Sequence, residues 1–159
     1  MKRYKYNYGL TLVEILVVVA IIAILATMVI GIAARISDQS KERSLEFTFT
    51  LLESALQEYN EFKGIFPQQP EKNSINAQMH SQFLYGELNL IPESQKILER
   101  ITKSIIKNGY GTIDTPPEIY DPWETVIDYI YVPGDNFPEL LSAGPDKIFG
   151  TADDISNKK

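Results

Sequence analysis

The sequence predicts an α+β chain. One long N-terminal helix, half transmembrane and half amphipathic, packs against a small antiparallel β-sheet that leads into a C-terminal metal-binding loop. Three observations predict this. Residues Ile15 to Ala34 carry no charge. An apolar stripe at helical spacing continues to Phe62. The last third is β-branched and aromatic, broken by Pro and Gly, and ends in SAGPDKIFGTADDI.

The uncharged run is 20 residues long. At about 1.5 Å of rise per residue it spans roughly 30 Å, the thickness of a bilayer's hydrocarbon core. Lys2, Arg3 and Lys5 precede it in a short leader, 1–9, that also holds Tyr4, Tyr6 and Tyr8. Basic and aromatic residues of this kind suit a headgroup zone, and the charge bias places the N-terminus on the cytoplasmic side. A cleaved secretory signal has a shorter apolar core and a small-residue cleavage site. Neither is present, so the apolar segment is expected to remain in the mature chain. One carboxylate, Glu14, stands at the head of the run. An acidic residue in a membrane helix costs about 2.5–3.5 kcal/mol on insertion scales and calls for a partner.

The helix is expected to continue from Thr11 to Lys63. Leu45, Phe49, Leu52, Leu56, Tyr59 and Phe62 follow steps of four and three and line one face. Gly64 suits a C-cap, and Pro67 follows shortly. The stretch from Glu71 to Gln82 is polar. A second helix is expected from Pro92 to Lys107, with Pro92 in its first turn and Ile97, Ile101 and Ile105 four apart. Asp121-Pro122-Trp123 reads as a turn, with Trp123 in the core. Val126 to Val132 reads as a strand, Pro133-Gly134-Asp135-Asn136 as a turn, and Glu139 to Ser142 as a second strand.

The C-terminal loop packs Asp146, Asp153 and Asp154 among Gly144, Pro145 and Gly150. Like charges this close repel unless water or a cation separates them. Calcium takes six to eight oxygens and tolerates irregular loops. The pattern is not an EF-hand, because no D-x-D-x-D-G run is present. From the residues alone it is either a calcium loop or an acidic surface turn.

The residues GLTLVE (Gly9 to Glu14) followed by the long apolar helix resemble the type IV pilin and pseudopilin family. The segment Tyr59, Gly64, Phe66, Pro67, the Asp121-Pro122-Trp123 turn before an aromatic strand, and the S-x-G-x-D start and D-I finish of the last loop resemble the major pseudopilins of type II secretion systems. The resemblance implies cleavage by a prepilin peptidase between Gly9 and Leu10, and N-methylation of Leu10. The family most often has Phe at that position. It implies that 10–35 form a transmembrane and filament-core helix, and that 36–159 form a globular domain in the periplasm of a bacterium, anchored once in the inner membrane. It implies a homopolymer, a helical fibre in which Glu14 meets a neighbour's α-amine and sets the stagger between subunits. Partners implied are the prepilin peptidase, minor pseudopilins and the inner-membrane assembly platform. It also implies Ca2+, with Asp146 and Asp154 as carboxylate ligands, the Ala143 carbonyl as a further one, and Asp153 and Ser142 as weaker candidates.

Other classes are disfavoured. Without cysteine there is no disulfide framework and no thiolate chemistry. Net charge is −6, and removing Lys2, Arg3 and Lys5 with the leader lowers it to −9. Such a surface repels phosphates, so no nucleic-acid partner is expected. No G-x-S-x-G, H-E-x-x-H, P-loop or dinucleotide fingerprint is present, so no enzyme is expected. The single histidine, His80, lies in a polar stretch and is expected to be an exposed bystander. Two alternatives stay open: a type IV pilin of a surface fibre, or a membrane-anchored calcium-binding recognition module that does not polymerise.

Overall fold

The computed structural model describes residues 11–109 and 115–158, and within 28–35 the backbone alone. The leader, Gly9 and Leu10 lie outside the described residues. The chain divides into two compact units, Met1–Ser40 and Lys41–Lys159.

Helix α1 runs from Leu12 to Lys63. Its start matches the expectation, and so does its end. Gly64 takes φ +76°, a left-handed value that Gly adopts without strain, and its N–H bonds to the Asn60 carbonyl at 2.7 Å. In the first unit, large apolar side chains from Leu12 to Leu25 are exposed, Leu12 by 81% and Val17 by 48%. Among the described residues, no helix is long and apolar enough to cross a membrane. The uncharged run that prompts the transmembrane expectation ends in 28–35, whose side chains lie outside the described residues.

In the second unit the expected stripe is the core. Leu45, Leu52, Ala55 and Leu56 are fully buried, with Phe49 and Tyr59 nearly so. Phe62 departs from the expectation and is 67% exposed. Phe66, beyond the helix end, is buried instead, edge-on to Tyr131 at 5.3 Å and to Phe137 at 5.1 Å. Aromatic pairs favour that geometry.

Against this face pack two further helices, α2 (Ala77–Asn89) and α3 (Pro92–Leu98). The polar stretch Glu71 to Gln82 holds a 3-10 turn, Ser74–Asn76, and the start of α2. The helix expected over Pro92–Lys107 stops at Leu98. Ile106–Lys107 leaves it to form strand β1, paired antiparallel with β2 (Glu118–Ile119). Ile105 and Ile106 are β-branched, and a ladder with a buried partner strand outweighs their weak helical preference.

One small sheet was expected; among the described residues there are two. The second has the order β3 (Asp128–Ile130), β4 (Glu139–Ser142), β5 (Ile155–Ser156), all antiparallel. Strand β4 has the expected bounds. Trp123 is core, as expected, with the Lys41 ammonium 6.0 Å from its ring centre.

His80 is not a bystander. It is 4% exposed on α2, and its Nδ1 lies 2.7 Å from the Asp128 carboxylate of β3, which is fully buried. The Glu71 carboxylate lies 3.5 Å from Nε2. Polar neighbours in the sequence hid this, because α2 buries His80 and Ser81 alongside Ala77, Leu84 and Leu88. Removing one partner of a buried hydrogen bond strands the other and costs about 1–3 kcal/mol. His80→Ala is therefore expected to lower stability by that amount in denaturant unfolding, and Asp128→Asn in the same chain to restore part of it.

Candidate functional site

The candidate site residues lie in two places: the head of α1 and the C-terminal loop. At the head, Thr11 and Glu14 form a reciprocal cap. The Thr11 N–H and hydroxyl donate to Glu14 Oε2 at 2.7 and 2.8 Å, and the Glu14 N–H donates back to Thr11 Oγ1 at 3.2 Å. This is the capping-box arrangement, in which side chains satisfy the orphan N–H groups of a helix start. The carboxylate also sits where the helix dipole favours negative charge. T-L-V-E is the sequence signature of such a box, and Thr11 is the partner that reading Glu14 alone overlooks.

In the loop, hydrogen bonds fold the acidic residues onto their own backbone. Asp146 Oδ1 accepts the Ile148 N–H at 2.8 Å. Asp154 Oδ2 accepts the Gly150 N–H at 2.7 Å. Asp153 spans the loop: one oxygen accepts the Asp146 N–H at 3.0 Å and the other the Thr151 hydroxyl at 2.5 Å. The Thr151 hydroxyl, then the Asp146 N–H, hold its carboxyl below the usual carboxylate range. With both oxygens in use, Asp153 is a strut across the loop.

The glycine at 144 is required. It takes φ +65°, and a Cβ there would overlap the Asp153 carbonyl oxygen. Ala143 and Ser142 are fully buried. The Ser142 hydroxyl donates to Asp121 Oδ2 at 2.6 Å and accepts the Gly144 N–H at 3.1 Å, so it faces the core. Asp121 is only 2% exposed and also accepts the Trp123 and Thr125 N–H groups, at 2.9 and 2.8 Å. Burial pushes its carboxyl up, opposed by the Ser142 hydroxyl and those two N–H groups. The Asp-Pro-Trp turn signals a local cap; nothing in the sequence signals that Asp121 reaches Ser142.

A hard cation can be tested against this arrangement. Among the described residues, no three His, Cys, Asp or Glu side chains gather as a metal-holding group. Carboxylates alone therefore do not make a site. Asp154 Oδ1, however, is buried and has no hydrogen-bond partner. A buried, unpaired carboxylate oxygen is costly and calls for a donor or a cation. Two carboxylates supplemented by backbone carbonyls are the donor set that calcium accepts. Asp154 Oδ1 is the atom of this loop that such an ion would satisfy.

A family model for the prokaryotic N-terminal methylation motif matches residues 4–30. The type II secretion system core protein G of Escherichia coli strain K12 is 32% identical over 159 residues, which cover 99% of this chain and 94% of that protein. The crystal structure of the major pseudopilin from the type 2 secretion system of enterohaemorrhagic Escherichia coli aligns with 76% of this chain and 84% of its own, at 18% identity and a TM-score of 0.41. On the K12 match, which spans nearly the whole of both chains, the protein belongs to the family of type II secretion system core protein G.

Proposed function

We propose that this chain is a structural subunit of a type II secretion pseudopilus. The likeness to core protein G along nearly the whole chain carries the proposal. On this reading a prepilin peptidase cuts between Gly9 and Leu10, and Leu10 becomes the methylated N-terminus. The methylation-motif match spans that point. The apolar side chains from Leu12 to Leu25 form a continuous exposed surface that water does not tolerate. Lipid covers it in the inner membrane, and the helices of other subunits cover it in the fibre. The 36–159 domain then lies in the periplasm, and the polymer works with minor pseudopilins and an inner-membrane assembly platform. The chain does no chemistry of its own.

Glu14 provides register in this fibre. Its carboxylate is already aimed back past the first turn, towards the N-terminal side, by Thr11. A neighbour's Leu10 ammonium completes it. A buried pair of this kind serves alignment more than stability. Glu14→Ala is expected to be processed normally but to give few fibres under electron microscopy, with the melting temperature of the 41–159 unit unchanged. Fibres at the wild-type level would remove Glu14 from assembly.

Calcium is the proposed ion of the C-terminal loop. Asp146, Asp154 and the Ala143 carbonyl would hold it, and it would supply a cross-link in a chain that has no cysteine. Asp153 and Ser142 hold the frame. An ion bound only by the folded chain adds its binding free energy to stability. The full chain in detergent micelles is expected to melt higher in calcium than in chelator. Asp146→Ala and Asp154→Ala should each abolish that difference while leaving the melting point in chelator near the wild-type value. Equal melting points with and without calcium in the wild type would reduce the loop to an acidic turn.

A further inference from the structure

We propose that Asp121 positions the C-terminal loop for its cation and does so through Ser142. The proposal deepens the calcium reading above and rests on it. Asp121 belongs to a different part of the chain, the turn before β3, and its carboxylate points away from solvent. Three donors converge on it: the Trp123 and Thr125 N–H groups on Oδ1, and the Ser142 hydroxyl on Oδ2. Its oxygens are thus engaged inside the fold, and it is a positioning residue with no part in ligation.

What it positions follows from the next bond. Because the Ser142 proton points at Asp121, the Ser142 oxygen presents a lone pair to the Gly144 N–H, at 3.1 Å. Ala143 is bracketed. The residue before it and the residue after it are tied to one hydroxyl, and that hydroxyl is tied to the core. The direction of the Ala143 carbonyl is therefore set by a carboxylate outside the loop. Gly144, at φ +65° and in close approach to the Asp153 carbonyl, passes the constraint to the far limb. There Asp153 binds the Asp146 N–H. A continuous path leads from Asp121 to both limbs that offer ligands. Outer partners of this kind orient a ligand set, and their loss weakens metal binding about 10–100-fold.

The test uses the full chain in detergent micelles, with calcium affinity read by isothermal titration and amide exchange at Gly144 read in chelator. Ser142→Ala removes the bond without disturbing the 121–125 turn, and is expected to weaken calcium about tenfold or more. Asp121→Ala is expected to do the same. The double variant should bind no more weakly than the worse single one, since the two residues act in series. Asp121→Asn keeps an acceptor for the turn and an amide that reaches Ser142, and should retain most of the affinity. In Ser142→Ala, Gly144 should exchange faster in chelator.

Additive losses in the double variant would overturn the proposal in favour of Ser142 as a direct ligand. Unchanged affinity, or unchanged Gly144 exchange, in Ser142→Ala would overturn it as well. Should Asp121→Ala fail to fold, Ser142→Ala and Asp121→Asn decide. A wild type that takes up no calcium would sink the ion alone; Gly144 exchange in chelator would still decide whether Asp121 and Ser142 hold the loop.

Discussion

Everything in the 41–159 unit is built on one face of α1. Leu45, Leu52, Ala55 and Leu56 have no exposure, and the helices, both sheets and the loop's first residues share their cluster or adjoin it. Burying a leucine side chain completely is worth about 1.5–3 kcal/mol. A chain with no cysteine has no covalent staple to add to this. The C-terminus is consequently drawn back to the same helix by weaker ties. Asn157 donates to Glu53 of α1 at 3.0 Å and accepts the Leu140 N–H at 2.8 Å. These bonds place β5, and with it the end of the acidic loop.

Around that apolar face the remaining joints are polar and buried. His80 meets Asp128, Gln82 meets the fully buried Glu118 at 2.7 Å, Ser81 accepts the Ile119 N–H at 2.9 Å, and the Ser94 hydroxyl donates to the Ala55 carbonyl at 2.8 Å. Each joins α2 or α3 to a strand or to α1. The net worth of one such hydrogen bond is about 1 kcal/mol, whereas leaving its partner unpaired costs more. Their effect is therefore selective: an α2 turned or shifted by one residue would strand several at once. Apolar contacts hold the helix down and the polar contacts choose its place.

This division explains what was legible in the sequence. α1 was readable end to end because its stripe is aliphatic and aromatic and Gly64 marks its end. β4 was readable from the Pro133-Gly134-Asp135-Asn136 turn that precedes it. α2 was not. Its buried positions are Ala77, His80, Ser81, Leu84 and Leu88, a true helical stripe in which three of five residues are small or polar. Two of its exposed positions, Met79 and Phe83, are large and apolar. A pattern scored by hydropathy inverts such a helix. The end of α3 failed for another reason, since isoleucines four apart fit a helix and a strand equally, and only the partner strand at Glu118–Ile119 decides. Of the candidate sites, Glu14 and the acidic loop stand out in the sequence by their chemistry. Thr11 and Asp121 matter through what they bind, and Asp121's partner lies far along the chain.

The two sites handle their carboxylates by one physical rule. At each, charge is first satisfied by donors of the same chain: Thr11 for Glu14, and loop N–H groups for Asp146, Asp153 and Asp154. A carboxylate held in this way loses little entropy when a cationic partner arrives, because its rotamer is already chosen. The sites differ in what is left over. Glu14 is exposed in the single chain; on the proposed reading it reaches low dielectric when lipid or other helices cover the head of α1, and its demand for a counter-charge arises with that burial. Asp154 carries its demand within the single chain, as one buried oxygen with no partner. A need created by burial among neighbours suits assembly; a need already present in the isolated fold suits a resident ion.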